Sequence, residues 1–313
     1  MRILLSNDDG VSAAGLAALR SAVFDLGEVT VVAPASPQSA AGHAITVYSA
    51  LEVRRLDAVS PGGFPAISVA GRPADCVRLA VRNLLADPPD LVLSGINHGA
   101  NVGINVFYSG TVAAAAEAAM LGIPAVAFSA SHEGRPVDWP RVAALCRWAL
   151  ERLLEMGLTR GDLFNVNIPL LGGGSPKGIG SPVIDSPPGA AAPGAAALGA
   201  MPLPVLGEGH VPGTGKAMPV SGTCTESSEL RLPRGVRFVP QSTAGVVDTY
   251  VGSPAGGGAE SYQLDPDYRH HPQADTDVSA LAEGYITVTP LHIDMTNHDR
   301  LAALAGLKWQ PPT

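Results

Sequence analysis

The chain opens MRILLSNDDG, so an apolar run ends in Asn7, two adjacent carboxylates at Asp8 and Asp9, and a glycine. Adjacent like charges repel, and each raises the other's pKa unless something positive sits between them. A solvated turn is one answer, because Asp-Gly is ordinary turn chemistry. A bound cation is the other, and more of the chain favours it. The stretch DLVLSGIN ends at Asn97, and VTVVAP is followed by a loop holding Ser36 and Ser39. Two carboxylates, a hydroxyl and an amide carbonyl make a hard, all-oxygen set. Such a set suits magnesium, manganese or calcium and offers zinc no His or Cys. A second polar stretch, SGINHGANVGINVFYSGTV, brings Ser109, Gly110 and Thr111 straight into the alanine-rich run VAAAAEAAMLG. A helix start with free N–H groups and two hydroxyls is an anion site, and beside a divalent cation it points to phosphoryl chemistry.

These residues need a scaffold that gathers them. The apolar runs RILLSN, VTVVAP, DLVLSG, PAVAFS, FNVNIP and YITVTP alternate with helix-like segments. That alternation predicts βαβ units, a mainly parallel sheet and an α/β fold. In such sheets ligands bind beyond the carboxyl ends of the strands, where Asp8, Asp9, the Ser36/Ser39 loop and Asn97 all fall. Helices are expected over Ala14–Leu26, from about Asp75 as N-cap, over the alanine-rich run, and over Trp139–Met156, with a short one at DVSALAEG. From about Gly172 to Gly222 the chain turns to Gly, Ala, Pro and Ser without periodicity and reads as a long loop or insertion. GSPAGGGAES reads as a loop tip.

Composition narrows the field. The chain is 46% apolar but only 5% aromatic, so its core is built from Val, Leu, Ile and Ala, as in a buried parallel sheet. Net charge is −8 with no basic run, which argues against duplex nucleic acid as a partner. Cys76, Cys146 and Cys224 lie far apart in no metal or redox spacing and read as buried thiols of a reducing compartment. The first apolar run is about four residues, short of a secretory core of roughly 7 to 15. With no apolar stretch long enough for a membrane span either, the expected location is the cytoplasm.

The stretches SNDDG, VAPASPQSAAGHAIT, GRPADCV, LVLSGINHGANVGINVFYSGTVAAAAEAAMLGIPAVAFS, NVNIP and ALAEGYITVTPL together resemble the survival protein SurE family of bacterial and archaeal 5'-nucleotidases. The likeness is dense over Met1–Pro169 and returns over Thr276–Leu291. It implies a Rossmann-like three-layer α/β core with a C-terminal extension, in one domain over 1–313 whose core is about 1–169 and 275–292. It also implies a metal-dependent phosphomonoesterase acting on nucleoside 5'-monophosphates, with 3'-monophosphates and short polyphosphate as further substrates. One divalent cation per subunit, Mg2+ or Mn2+ with Ca2+ as a substitute, and a homodimer or homotetramer with exchanged C-terminal segments come with the resemblance. Carried over residue by residue, the metal ligands fall on Asp8, Asp9, Ser39 and Asn97, and the phosphate contacts on Asn101, Ser109, Gly110 and Thr111. The resemblance thus selects Ser39 over Ser36. The matches thin between about Leu170 and Pro272, where the family carries a compact β-hairpin region and this chain has its Gly/Ala/Pro-rich stretch.

Asp8 or Asp9 is then either a nucleophile or the group that positions a metal-bound water. The alternative reading is a nucleotide- or phosphate-binding module without turnover. His98, next to Asn97, reads as a hydrogen-bonding support rather than a general acid, and His43 as a residue lining the pocket. His270 and His271 read as solvent-facing, and Trp139 and Trp148 as packing.

Overall fold

The computed structural model describes residues 1–171, 232–247, 249–255, 259–264, 269–271 and 273–304. The stretch expected to be a long insertion, Cys224, Tyr268 and Pro272 lie outside the described residues. In chain order the strands are β1 (Arg2–Ser6), β2 (Glu28–Pro34), β3 (Val53–Val59), β4 (Phe64–Val69), β5 (Leu91–His98), β6 (Ala125–Ala130), β7 (Leu163–Ile168), β8 (Val236–Phe238), β9 (Val246–Val247), β10 (Tyr250–Ala255), β11 (Ala259–Leu264), β12 (Arg269–His270) and β13 (Ile286–Leu291). The helices are α1 (Ala14–Val23), α2 (Pro73–Leu79), α3 (Gly110–Met120), α4 (Trp139–Met156), α5 (Asp277–Ala282) and α6 (His298–Leu304).

One nine-stranded sheet runs β3-β4-β2-β1-β5-β6-β7-β13-β8. Its central pairs are parallel, while β3 against β4 and β13 against β7 are antiparallel. Strand order reverses between β1 and β5, which is where a crevice opens in sheets of this kind. Alternation along the strands sends side chains to two cores. Ile3, Leu5, Leu93, Val126 and Phe128 pack with Leu16 and Leu19 of α1 and Leu150 of α4. Leu4, Val32, Val92, Ala125 and Ala127 pack with Cys76 and Val77 of α2 and Ala114, Ala115 and Ala118 of α3. Alanine on both α3 and β6 lets that helix lie close to the sheet. Each large side chain so buried stabilises the fold by roughly 1.5–3 kcal/mol. Among the described residues no helix is long and apolar enough to cross a membrane.

Several expectations need correcting. The β3–β4 hairpin was not foreseen, although Ser60–Gly63 has turn composition. Asp75 is the third residue of α2 rather than its N-cap, which is Arg72, and its Oδ2 accepts from the Arg72 N–H at 2.9 Å. The expected first helix winds into a 3-10 turn over Phe24–Leu26. GSPAGGGAES is largely strand: β10 and β11 form an antiparallel hairpin flanking 256–258, which lie outside the described residues. A hairpin therefore does stand in the region where the family resemblance thinned. Trp139 packs against the core, but Trp148 is 43% exposed. Cys76 and Cys146 are fully buried, and burial pushes both thiols well up, as expected of buried core thiols.

Candidate active site

Asp8 and Asp9 follow directly from β1, and the loop around them is pinned on three sides. The Asn7 amide donates to Gly10 O at 2.9 Å, the Gln38 N–H to Asp8 O at 2.8 Å, and the Val11 N–H to Pro34 O at 2.8 Å. The loop after β2 is thereby tied to the carboxylates one residue before Ser39. Its far side is held by the Gly42 N–H, which donates to Tyr108 O at 3.0 Å. Ser39 itself is exposed on this loop.

Asn97 arrives from the neighbouring strand through a bulge. Ser94 pairs with Ala127 but Asn97 pairs with Ser129, so β5 carries one extra residue there. Gly95 makes the bulge possible: its φ is +125°, and a Cβ would lie 2.3 Å from Phe128 O. The Asn97 amide nitrogen donates to Gly99 O at 2.8 Å, which turns its carbonyl oxygen into the end available to a cation. The next residue closes the arrangement, since the His98 N–H donates to Asp9 Oδ2 at 3.1 Å. The support expected of His98 comes from its backbone. Its ring stacks on His132, with centroids 3.9 Å apart, and sits 5.9 Å from the Trp139 ring.

The start of α3 abuts the same carboxylate. Ser109 is the N-cap, its hydroxyl accepting from the Val112 N–H at 3.0 Å. The Thr111 hydroxyl donates to Asp8 Oδ1 in a short hydrogen bond, so it faces the carboxylate. Gly110 is required by proximity, because a Cβ there would come within 2.7 Å of Asp8 Cβ and 3.0 Å of Asp8 Oδ2. Asp8 is only 8% exposed. Burial and, after it, the Asp9 charge push its carboxyl up to about 7, while hydrogen bonds from Thr111 work the other way. A carboxylate pair so arranged gains from a positive ion between its members. Asp8, Asp9, Asn97 and Ser39 supply only oxygen, and among the described residues the buried Asn7 Oδ1 beside them has no hydrogen-bond partner. The donor set fits a hard divalent cation.

Asn101 and His43 are placed differently. The Asn101 side chain donates to Ser129 Oγ at 2.9 Å, and its backbone joins Asn165 and Asn167 of β7. It belongs to a buried polar knot across β6 and β7. His43 Nε2 lies 2.9 Å from Oε2 of Glu117, a residue 1% exposed in the middle of α3. Arg78 of α2 reaches the other oxygen at 2.8 Å. Burial works against the Glu117 charge, but His43 and Arg78 outweigh it and hold the carboxyl below its ordinary value. Thr46 is fastened in turn to Asp75 by its N–H at 2.8 Å and its hydroxyl at 2.7 Å. Glu117 and Asp75 therefore anchor the loop that carries Ser39 and His43. Asp75 was read only as a helix cap, and the one signal for Glu117 was a lone charge in an alanine-rich helix. His270 also differs from expectation, since it is half-buried, with its Nε2 3.2 Å from the Asn105 amide, whereas His271 is exposed.

Comparison with known proteins bears on the same residues. The survival protein SurE profile matches residues 3–182. The "5'-nucleotidase SurE" of Syntrophobacter fumaroxidans is 36% identical over 99% of both chains, and "5'-nucleotidase SurE 1" of Thermus thermophilus 37% identical over 98% of both. The crystal structure of the SurE protein from Aquifex aeolicus superposes with a TM-score of 0.66 at 30% identity, covering 97% of this chain and 98% of that one. The cation-fitting carboxylates, the bulged Asn97 strand and the α3 start all lie within the matched profile, and the chain belongs to the survival protein SurE family.

Proposed function

We propose that the protein is a divalent-cation-dependent nucleotidase that hydrolyses the phosphate ester of nucleoside 5'-monophosphates to nucleoside and phosphate. The observation that carries this is the contact between Asp8 and the start of α3, through the Thr111 hydroxyl and the bare Gly110 backbone. It supports reading a cation site set against an anion site. The relatives named 5'-nucleotidase support the substrate class.

Asp8, Asp9, Ser39 and Asn97 would hold the cation, magnesium or manganese, one per chain. When bound it supplies Lewis-acid polarisation of the phosphoryl oxygens. Gly110 lets the phosphate approach the first turn of α3, where the N–H groups lack intrahelical acceptors. Thr111 orients Asp8 by donating to one carboxylate oxygen. The Asp9 carboxylate is oriented by the His98 N–H. The oxygen that attacks phosphorus comes from water, whose proton ends on the departing nucleoside oxygen as the P–O ester bond breaks, or from one of the two carboxylates, in which case the departing oxygen takes its proton from solvent and a water then hydrolyses the aspartyl-phosphate to release phosphate. Acid quench with radiolabelled substrate separates the two routes, since a trapped aspartyl-phosphate requires the carboxylate.

The reading extends to 3'-monophosphates, short polyphosphate and a homo-oligomer. Exposed Tyr250, Val251 and Tyr262 on the β10–β11 hairpin, and Ile293, Met295 and Leu301 near α6, are the apolar groups a second copy would cover. The test is phosphate release from a panel of 5'- and 3'-nucleotides and polyphosphate with manganese, magnesium or chelator, for wild type and Asp9→Asn. Release that needs the cation and collapses in the variant is expected. Release indifferent to both would remove the proposal.

A further inference from the structure

At the opposite edge of the sheet, before β5 and β6 begin, lies a cleft of about 460 Å³. That is within the roughly 300–1,000 Å³ of small-molecule sites. Its walls come from three connections: the end of the α2 run and the loop into β5, the α3–β6 turn, and the α4–β7 loop. Two arginines line it, Arg82 and Arg160. Neither forms an ion pair with a carboxylate among the described residues. Other exposed arginines such as Arg55 and Arg300 share this among the described residues, but Arg82 and Arg160, both exposed, are the two that line the cleft.

The one carboxylate in the lining, Asp90, is already matched. It accepts from the Arg2 N–H at 2.7 Å and the Arg2 guanidinium at 3.3 Å, and these contacts hold its carboxyl below the ordinary value. Both arginines are also placed by local backbone. Arg82 sits on a π-helical turn, Ala80–Leu84, that continues α2. Such turns are rare and often accompany functional sites. Arg160 lies against the Gly122 backbone, where a Cβ would come within 2.8 Å of its terminal nitrogen. The rest of the wall is apolar and stiff, with Pro88, Ile123 and Pro124.

We propose that this cleft binds a small phosphorylated ligand of the nucleotide class, its phosphate held by Arg82 and Arg160 and its ring against the proline and isoleucine wall. Guanidinium groups bind phosphate through paired N–H donors and also stack on flat rings, so both halves of such a ligand are served. The site lies at the amino ends of the strands and is separate from Asp8 and Asp9 at the carboxyl end of β1.

The experiment is equilibrium dialysis of radiolabelled AMP at low ionic strength in EDTA, which withdraws the cation from the catalytic site and stops turnover. Wild type, Asp9→Asn, Arg82→Gln, Arg160→Gln and the double glutamine variant are compared, with melting temperatures taken alongside. Expected is AMP binding of equal strength to wild type and Asp9→Asn, weakened at least about tenfold by either arginine change and lost in the double variant. Inorganic phosphate should displace the AMP and adenosine should not. Binding indifferent to both arginines, binding lost only in Asp9→Asn, displacement by adenosine alone, or no AMP bound to wild type would each overturn the proposal. Cation-dependent phosphate release in the arginine variants should match wild type, so failure here leaves the nucleotidase reading standing, and the converse holds.

Discussion

Asp8→Asn should make the cation-free protein more stable at neutral pH while abolishing phosphate release. The Asp8 carboxyl is raised from 3.8 to about 7, first by burial and then by Asp9. The folded chain therefore keeps a proton that the unfolded chain releases between about pH 4 and pH 7. Across that window the stability of the cation-free wild type falls as pH rises. At about 1.36 kcal/mol per pH unit the full cost reaches about 4 kcal/mol. Asparagine keeps the shape, still accepts from Thr111 through its carbonyl oxygen, and does not ionise. Urea unfolding in EDTA at pH 4 and pH 8 reads the difference directly. The variant should match wild type within about 1 kcal/mol at pH 4 and exceed it by about 2–4 kcal/mol at pH 8. Adding manganese should then raise wild type and leave the variant unmoved. A variant no more stable than wild type at pH 8, or a gap that does not change with pH, would refute the claim that the fold forces these carboxylates together at an energetic cost.

Glu117→Gln removes the charge that holds His43 and Arg78, so the melting temperature should drop by an amount equivalent to about 1–3 kcal/mol. Because the slackened loop carries Ser39, the manganese concentration for half-maximal activity should rise as well, which a metal titration reads. Gly110→Ala puts a methyl 2.7 Å from Asp8 Cβ and 3.0 Å from Pro73 Cγ. Phosphate release should fall at least tenfold, about 1.4 kcal/mol in the barrier, with circular dichroism unchanged. Asp277 is buried and accepts from the Gly103, Ser242 and Val278 N–H groups at 2.8–2.9 Å. Asp277→Asn turns an amide N–H toward one of those donors and should cost about 2–3 kcal/mol in urea unfolding.

The strands of the central sheet were legible because each is a short apolar run bounded by polar or turn residues, and alternation alone divides Ile3 and Leu5 from Leu4. Helix α4 was legible around Trp139 to Met156, and the structure shows why it stops there: Asp138 caps one end through the Arg141 N–H and Gly157, in a left-handed conformation, closes the other. The β3–β4 hairpin escaped notice because β3 is an edge strand whose Arg54, Arg55 and Asp57 are exposed, and only Leu56 and Val59 reach the core. The site divides in the same way. Asp8, Asp9 and Asn97 were visible because each lies at or just beyond the end of an apolar strand. Glu117, Arg78 and His43 come from three separate segments, and nothing in their spacing says that they meet. Asp75 looked like a cap because its own helix was in view and its partner Thr46 was not. His270 looked solvated because its neighbours Gly103 and Asn105 are distant in the chain.

The place of β13 in the sheet has a consequence for synthesis. β7 ends at Ile168, and the strand that covers its outer edge begins only at Ile286, with Asn167 opposite Thr287 and Asn165 opposite Thr289. At about 5–20 residues per second, a nascent chain holds that edge bare for on the order of ten seconds. Unpaired N–H and C=O groups on an exposed edge invite pairing with other chains. The strands that carry Asp8 and Asn97 are under no such delay, since β1, β2, β5 and β6 are neighbours made within the first 130 residues. The frame of the candidate site can close on itself while the far side of the sheet still waits on the ribosome, so truncation late in the gene threatens solubility before it threatens the arrangement of the carboxylates.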